Sequence, residues 1–218
     1  WSGDFTLNGN VECAIGANLS ANMAECLLPF FDFLEAHMDD FRTNAKRFYN
    51  CRGIFVPSRA SNHGLKNSFD GNWCMTFWTA GAGWMSQFYY DYYLYTGDRQ
   101  FLAEHALPFM EKSALFFEDY LYEGPDGKWV FSPTQSPENT PGNTKSQGTF
   151  NATMDVAVAK ELLRNTIAAS RELGRNRRVH DRGVPPPEPE LGGAREQPGA
   201  QVQAVDRVDG RLRPIAGR

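Results

Sequence analysis

The sequence predicts an all-α fold, part of a toroid or barrel built from stacked antiparallel helix pairs. Three observations carry that expectation. Apolar residues recur at spacings of three and four through most of residues 22–173. Gly- and Pro-marked breaks divide these runs into lengths suited to helices, and strand-like sequence is confined to Lys128–Ser132. The apolar faces are broad, as in helices buried between other helices.

Residues 22–50 carry Met23, Leu27, Phe30, Phe31, Leu34, Met38, Phe41 and Phe48, a helical stripe expected to break or bend around Pro29. Residues 74–95 place Phe77, Trp78, Trp84, Met85, Phe88 and the run Tyr89–Tyr95 around a helix that is apolar on most sides. Thr96-Gly97-Asp98 reads as a stop and a start, with Gly97 as C-terminal cap and Asp98 as the next N-cap. A helix pair is expected around Pro108, and Glu123–Gly127 is a turn before the short strand. Residues 136–148 form a polar loop. A last helix is expected from Thr153 to Leu173, with Met154, Val158, Leu162, Leu163 and Ile167 facing inward. About five or six helices of this kind leave apolar faces uncovered, as in one part of a larger ring.

Composition breaks near Gly174, which divides residues 1–173 from 174–218. Every Phe, Trp, Tyr, Met, Cys and Lys lies before it, and the segment after it holds nine Arg against six acidic residues. That segment reads as a disordered linker, because Val184-Pro185-Pro186-Pro187-Glu188-Pro189 is incompatible with a helix interior. A sharper expectation is a shifted reading frame, since Arg-rich, Lys-free and aromatic-free sequence begins there in the middle of a helical pattern. The coding DNA downstream of the Gly174 codon, read in all three frames, tests this.

With 41% hydrophobic and 13% aromatic residues in 218, the chain has ample material for a core. Its net charge of −4 argues against a nucleic-acid partner. No stretch approaches the roughly 20 apolar residues of a membrane span. Cys13, Cys26, Cys51 and Cys74 form no C-x-x-C pair and read as buried free thiols. The histidines are scattered without an H-E-x-x-H, so neither a metal nor another cofactor is expected. The compartment is not set by these features.

Chemistry is concentrated in two loops. In Phe131–Asn139 two prolines stiffen the chain around Glu138, and a carboxyl held in a partly apolar cleft suits a general acid. Trp73, Trp78, Trp84 and Trp129 are candidate walls of such a cleft, although Trp78 and Trp84 also fit a helical core. In Asn8-Gly9-Asn10 the two amides, at i and i+2, point to one side of an extended segment and together can hold one water. An amide is too weak a base to act alone, so a carboxylate must assist. Taken singly, each loop also reads as ordinary surface turn.

Taken in order, these segments resemble glycoside hydrolase family 95, the inverting α-L-fucosidase and α-L-galactosidase group. Asn8-Gly9-Asn10 sits where that family has Asn-x-Asn. Asn22–Phe30 is similar to its N-L-S-E-C-x-x-P-L, and Trp78–Trp84 to its W-P-x-G-G-A-W. Asp91–Asp98 resembles E-H-Y-x-F-T-G-D, Pro133–Asn139 resembles P-S-x-S-P-E-N, and Thr153-Met154-Asp155 fits its T-M-D. The resemblance covers residues 4–172 and implies an (α/α)6 barrel. It implies Glu138 as proton donor, Asn8 and Asn10 as holders of the attacking water, and an oligosaccharide or glycan as partner, with Trp78 and Trp84 the candidate aromatic walls that would bind it. It also implies a carboxylate from much later in the chain; the segment after Gly174 does not resemble that region, so this chain is expected to be an incomplete enzyme.

The chain departs from the family at Glu12–Asn18, where Q-M-N-Y-W-P-A is replaced, and around Arg59–His63, where T-D-x-W is replaced. Glycosidase chemistry is therefore the coarser reading and fucose the finer one. A non-catalytic helical carbohydrate-binding remnant or scaffold is the alternative. A polysaccharide lyase would need a Tyr/His or Arg centre, which the scattered positions do not form.

Overall fold

A computed structural model of the chain describes residues 4–66, 74–142 and 144–175, together with the backbone of two short strands, Val205–Asp206 and Arg213–Pro214. Trp73 and nearly all of the Arg-rich segment, with the expectations placed on them, lie outside the described residues. What is described is all-α, trimmed by strands of two residues each.

Strand β1 (Phe5–Thr6) leads into α1 (Asn10–Ile15). A 3-10 turn at Ala24–Leu27 then feeds α2 (Leu28–Ala36) and α3 (Met38–Tyr49). The long apolar stripe passes from the 3-10 turn into α2 at Leu28, beside Pro29 as expected, and breaks a second time at His37, whose backbone leaves the helical region. Pro29 lies in the first turn of α2, where its missing N–H has no partner to lose. Buried Asn44 on α3 donates to the carbonyls of Phe55 (3.3 Å) and Gly64 (2.8 Å) and accepts the Lys66 N–H (2.9 Å), fastening the segment 54–66 to the helix. Within that segment β2 (Arg59–Ala60) pairs antiparallel with β1, Phe5 opposite Ala60.

Helix α4 (Gly81–Thr96) follows a 3-10 turn at Cys74–Phe77. It ends as the sequence predicts: Gly97 takes φ 70°, and the Asp98 carboxylate accepts the Phe101 N–H at 2.9 Å. The expected helix pair around Pro108 is instead one continuous rod. Helix α5 (Arg99–Phe101) runs through a π-turn at Leu102–Ala106 into α6 (Leu107–Tyr120). In that wider turn the Leu107 N–H reaches back to the Leu102 carbonyl. The widened turn lets the chain pass Pro108, which has no N–H to give and crowds the preceding turn.

The hairpin β3 (Tyr122–Glu123) to β4 (Trp129–Val130) turns at Gly127, and α7 (Thr153–Glu172) closes the described body. Helix α4 packs against both α6 and α7. The core is aromatic: Tyr89 sits 4.4 Å from Phe31 and stacks on Phe109 at 4.5 Å, and Phe117 meets Phe131 at 5.9 Å, centroid to centroid.

Burial refines two further expectations. Cys13 and Cys26 are exposed, because α1 buries Glu12 and the 3-10 turn buries Leu27, while Cys51 is buried as expected. On α7 Leu162 is buried and Met154, Val158 and Leu163 pack half-buried against the core as expected, but the most deeply buried face also takes in Asp155, Val156, Ala159, Thr166, Ala169 and Ser170.

Candidate functional site

The acid loop is rigid where it joins the core and exposed at its tip. Phe131 is fully buried, and its N–H donates to the Asn151 side chain at 2.8 Å. Thr134 pairs with Thr149, each N–H donating to the other's carbonyl at 2.9 Å. Tyr120, from the end of α6, donates its hydroxyl to the Pro133 carbonyl. Buried Gln135 donates to the Gln147 side chain at 3.2 Å. Beyond these ties Ser136–Asn139 forms a β-turn closed by the Asn139 N–H on the Ser136 carbonyl at 2.9 Å. Pro137 fills the second position of that turn, for which its fixed φ is preset, and Glu138 the third. Glu138 is exposed.

Under the loop lies a carboxylate that local sequence patterns did not mark as part of the site. Asp155, in the first turn of α7, is fully buried. One of its oxygens accepts the Thr79 N–H at 3.0 Å and the Thr79 hydroxyl at 2.5 Å. The Thr134 hydroxyl lies close enough to favour the charged carboxylate, though the two fall short of a full hydrogen bond. Burial outweighs these donors and pushes the Asp155 pKa up to about 6. Burial raises the Tyr49 and Tyr120 phenols as well, and the Asp155 charge adds to both shifts.

The same cluster holds the tryptophans. Trp78, Met75 and Ala80 are buried together, with Trp84, Met154 and Val158 packed against them. Trp78 and Trp84 meet edge to face at 6.1 Å. Trp78 is fully buried and presents no face to solvent, whereas Trp84 is half-buried.

The Asn turn is reached through the segment 54–60. The Leu7 N–H donates to the Ser58 carbonyl at 2.8 Å. Two residues earlier, Val56 packs its carbonyl against Gly81 so closely that a Cβ there would lie 2.3 Å from it. The Asn turn thus attaches near the N-terminal end of α4 through Val56 and Ser58, and Thr79, the partner of Asp155, lies at the same end. Asn8 is half-buried with its side-chain oxygen unpaired among the described residues, and Asn10 is exposed at the start of α1. Beneath them Glu12 is buried, one carboxylate oxygen accepting the Gly9 N–H at 2.8 Å and the other unpaired. Burial pushes the Glu12 pKa up to about 7 against the pull of that backbone donor. The sequence showed Glu12 only as a departure from the family pattern; its place three residues after Gly9, where a helix-capping carboxylate reaches back, was the available signal.

No cluster of three or more His, Cys, Asp or Glu suited to a metal occurs among the described residues. No described helix is long and apolar enough to cross a membrane.

Comparison with known proteins adds two findings. The family model of the glycosyl hydrolase family 95 catalytic domain matches residues 1–186, and so runs past the compositional break at Gly174. Alpha-L-fucosidase 2 of Arabidopsis thaliana is 31% identical over 179 residues, which is 80% of this chain and 21% of the plant protein. The chain therefore spans about a fifth of the length of that relative.

Proposed function

The chain belongs to glycoside hydrolase family 95, and from that premise we propose that it forms part of the catalytic domain of an inverting glycosidase acting on terminal α-L-fucose or a similar sugar of a glycan. Glu138 is the proton donor to the departing glycosidic oxygen. Asn8 and Asn10 hold the attacking water on the opposite face of the sugar. Inversion needs a separation of roughly 6.5 to 9.5 Å between the acid and the water-activating group. The amides orient that water, and a carboxylate takes its proton. Trp84 offers the aromatic face for the sugar, with Trp78 behind it fixing its angle.

The observation that carries this reading is the mounting of Glu138. It projects from a Pro137-centred turn four residues beyond Thr134, a fully buried residue paired with Thr149 and preceded by Pro133, whose carbonyl Tyr120 holds. A loop built only to connect β4 to α7 has no need of such anchoring. A general acid does, because its proton must be delivered along one direction.

The test is hydrolysis of α-L-fucosides by the full-length protein, with the first-formed anomer followed by proton NMR. Inversion of an α-L-fucoside releases β-L-fucose first, and Glu138→Gln is expected to lose activity on natural substrates. Release of the α-anomer first, or full activity in that variant, would overturn the reading. Glycan binding without hydrolysis by the full-length protein would instead favour a carbohydrate-binding role.

A further inference from the structure

We propose that Asn151 is a positioning residue for the acid loop, pinning the root of the loop to the core and so fixing the direction from which Glu138 reaches the substrate. The proposal rests on the reading of Glu138 as the proton donor. The loop leaves the core at Phe131 and returns to it at Asn151, 20 residues later. Both polar groups of the Phe131 backbone are engaged by Asn151. The Phe131 N–H donates to the Asn151 side-chain oxygen at 2.8 Å, and the Asn151 N–H donates to the Phe131 carbonyl at 2.9 Å. The next rung is Thr134 with Thr149, bonded in both directions at 2.9 Å. Above it Gln135 reaches Gln147 at 3.2 Å, and then comes the turn that carries Glu138. Asn151 is 3% exposed and Phe131 is fully buried against Phe117 and Tyr120, so water does not compete for the lower rung.

Asparagine suits this position for two reasons acting together. In a regular antiparallel pair of this kind each residue offers its own N–H and its own carbonyl. Asn151 departs from that pattern: its backbone takes φ 52°, in the left-handed region, and the chain passes directly into α7 through the N-cap Ala152. Its side-chain oxygen therefore stands in for the carbonyl that a regular strand residue would offer to Phe131. Glycine tolerates such a backbone but supplies no acceptor, and most residues with a side chain are strained at positive φ. One residue thus joins the outgoing end of the loop, its return and the start of the helix. A side chain that only fills space has no need of an oxygen aimed at the Phe131 N–H. The contacts that orient Glu138 therefore do not touch Glu138.

The experiment uses the full-length protein carrying Asn151→Gly, which keeps the backbone conformation and removes the acceptor, or Asn151→Asp, which keeps an acceptor oxygen in either protonation state. Two substrates are compared. An α-L-fucosyl glycan needs its departing oxygen protonated, whereas α-L-fucosyl fluoride releases its leaving group with little help from an acid. In Asn151→Gly, kcat on the glycan is expected to fall about tenfold or more, with kcat on the fluoride and KM for both within about threefold of wild type. Asn151→Asp is expected to restore most of the loss on the glycan. Amide hydrogen exchange at Phe131, Thr134 and Thr149 is expected to quicken about tenfold in Asn151→Gly, the loss of roughly one hydrogen bond. Amides in the middle of α6 keep their wild-type rates. Equal losses on the two substrates, or equal acceleration in α6 and the loop, mark a purely structural role and overturn the proposal, as does unchanged exchange at Thr134 and Thr149. Should Asn151→Gly fail to fold, Asn151→Ser, whose oxygen stands one bond nearer the backbone and falls short of the Phe131 N–H, is expected to show the same selective loss. Glu138→Gln, measured alongside, is expected to lose the glycan and keep the fluoride. Its full activity on the glycan would remove the donor assignment, and the kinetic part of this proposal with it, while exchange separately reports whether Asn151 pins the loop.

Discussion

Glu12 offers the sharpest quantitative test of the electrostatics at the Asn turn. Its carboxyl is buried and its pKa lies at about 7, against the usual 4.5. Each factor of ten in proton affinity is worth about 1.4 kcal/mol. The ionised folded state is therefore penalised by about 2 to 3 kcal/mol relative to the unfolded chain, the lower figure allowing for water reaching the turn past exposed Asn10. A raised pKa means that the folded state holds the proton more tightly. This contribution to stability is thus complete below pH 4.5, declines as pH rises, and is gone above about pH 7. Asp155, raised from 3.8 to about 6, acts in the same direction over a lower window.

The substitution Glu12→Gln isolates one group from the other. Glutamine keeps a side-chain oxygen to accept the Gly9 N–H but has no charge to bury. Urea unfolding followed by tryptophan fluorescence, at pH values from 4.5 to 8, is the assay. The variant and the wild type are expected to match within about 0.5 kcal/mol at the acid end. At pH 8 the variant is the more stable by about 2 kcal/mol, equivalent to a Tm gain of roughly 4 to 8 °C for a domain of this size. The wild type retains a pH slope in excess of the variant's between about pH 5 and 7. A variant that is less stable at pH 8, or a gap that does not change with pH, would refute the reasoning.

Two further outcomes follow from the packing. Gly53→Ala is expected to destabilise the fold by clearly more than the roughly 1 kcal/mol of left-handed strain alone. Gly53 sits at φ 72°, and a Cβ there would lie 2.2 Å from the Lys112 carbonyl oxygen and 2.6 Å from the Phe116 nitrogen, both rigid backbone of α6; a urea midpoint equal to wild type would contradict this. The tryptophans should separate cleanly: Trp78→Ala costs about 3 to 5 kcal/mol of stability as a fully buried side chain, while Trp84→Ala costs less and raises KM for glycan substrates. Equal melting temperatures for the two variants would show that the division between buried support and sugar-facing wall is misplaced.

How far the fold was legible depended on how local its determinants were. The stop at Gly97 and start at Asp98 follow from two residues acting on their own backbone, and both caps formed as written. The stripes of α2, α3 and α4 follow from hydrophobicity at helical spacing. Size proved less legible than hydrophobicity. On α7 the expected apolar stripe shares only Leu162 with the buried one. The reason is close approach: α4 presents Ala82 and Gly83 near its start, and a Cβ on Gly83 would lie 2.6 Å from the Val158 Cγ1. At that distance Val158 and Leu162 face Gly83 directly and the small Ala159, Thr166, Ala169 and Ser170 are among the most deeply buried, while Met154 and Leu163 pack half-buried against the core. Pro108 misled for a related reason, since a single π-turn absorbs it and leaves no break in the rod.

The site was legible only where order along the chain could speak for it. Glu138 and the Asn pair were marked by motifs, but the buried acids beneath their loops were not, and the physical cause is the same for both. Glu12 and Asp155 each stand in the first turn of a helix. An acid there needs no special explanation, because it complements the helix dipole and caps free N–H groups. That local account is sufficient, so nothing in the sequence calls for another. What distinguishes these two acids is burial, and burial comes from partners far away: Thr79 lies 76 residues before Asp155. No periodicity or short motif spans such a gap. A helix-capping acid in contact with water keeps an ordinary proton affinity, whereas these two do not, and each lies beneath a loop that carries a proposed functional residue. An acid in the first turn of a helix, close in sequence to a proposed reacting group, therefore has two roles to be tested. The raised pKa separates them more sharply than the position does.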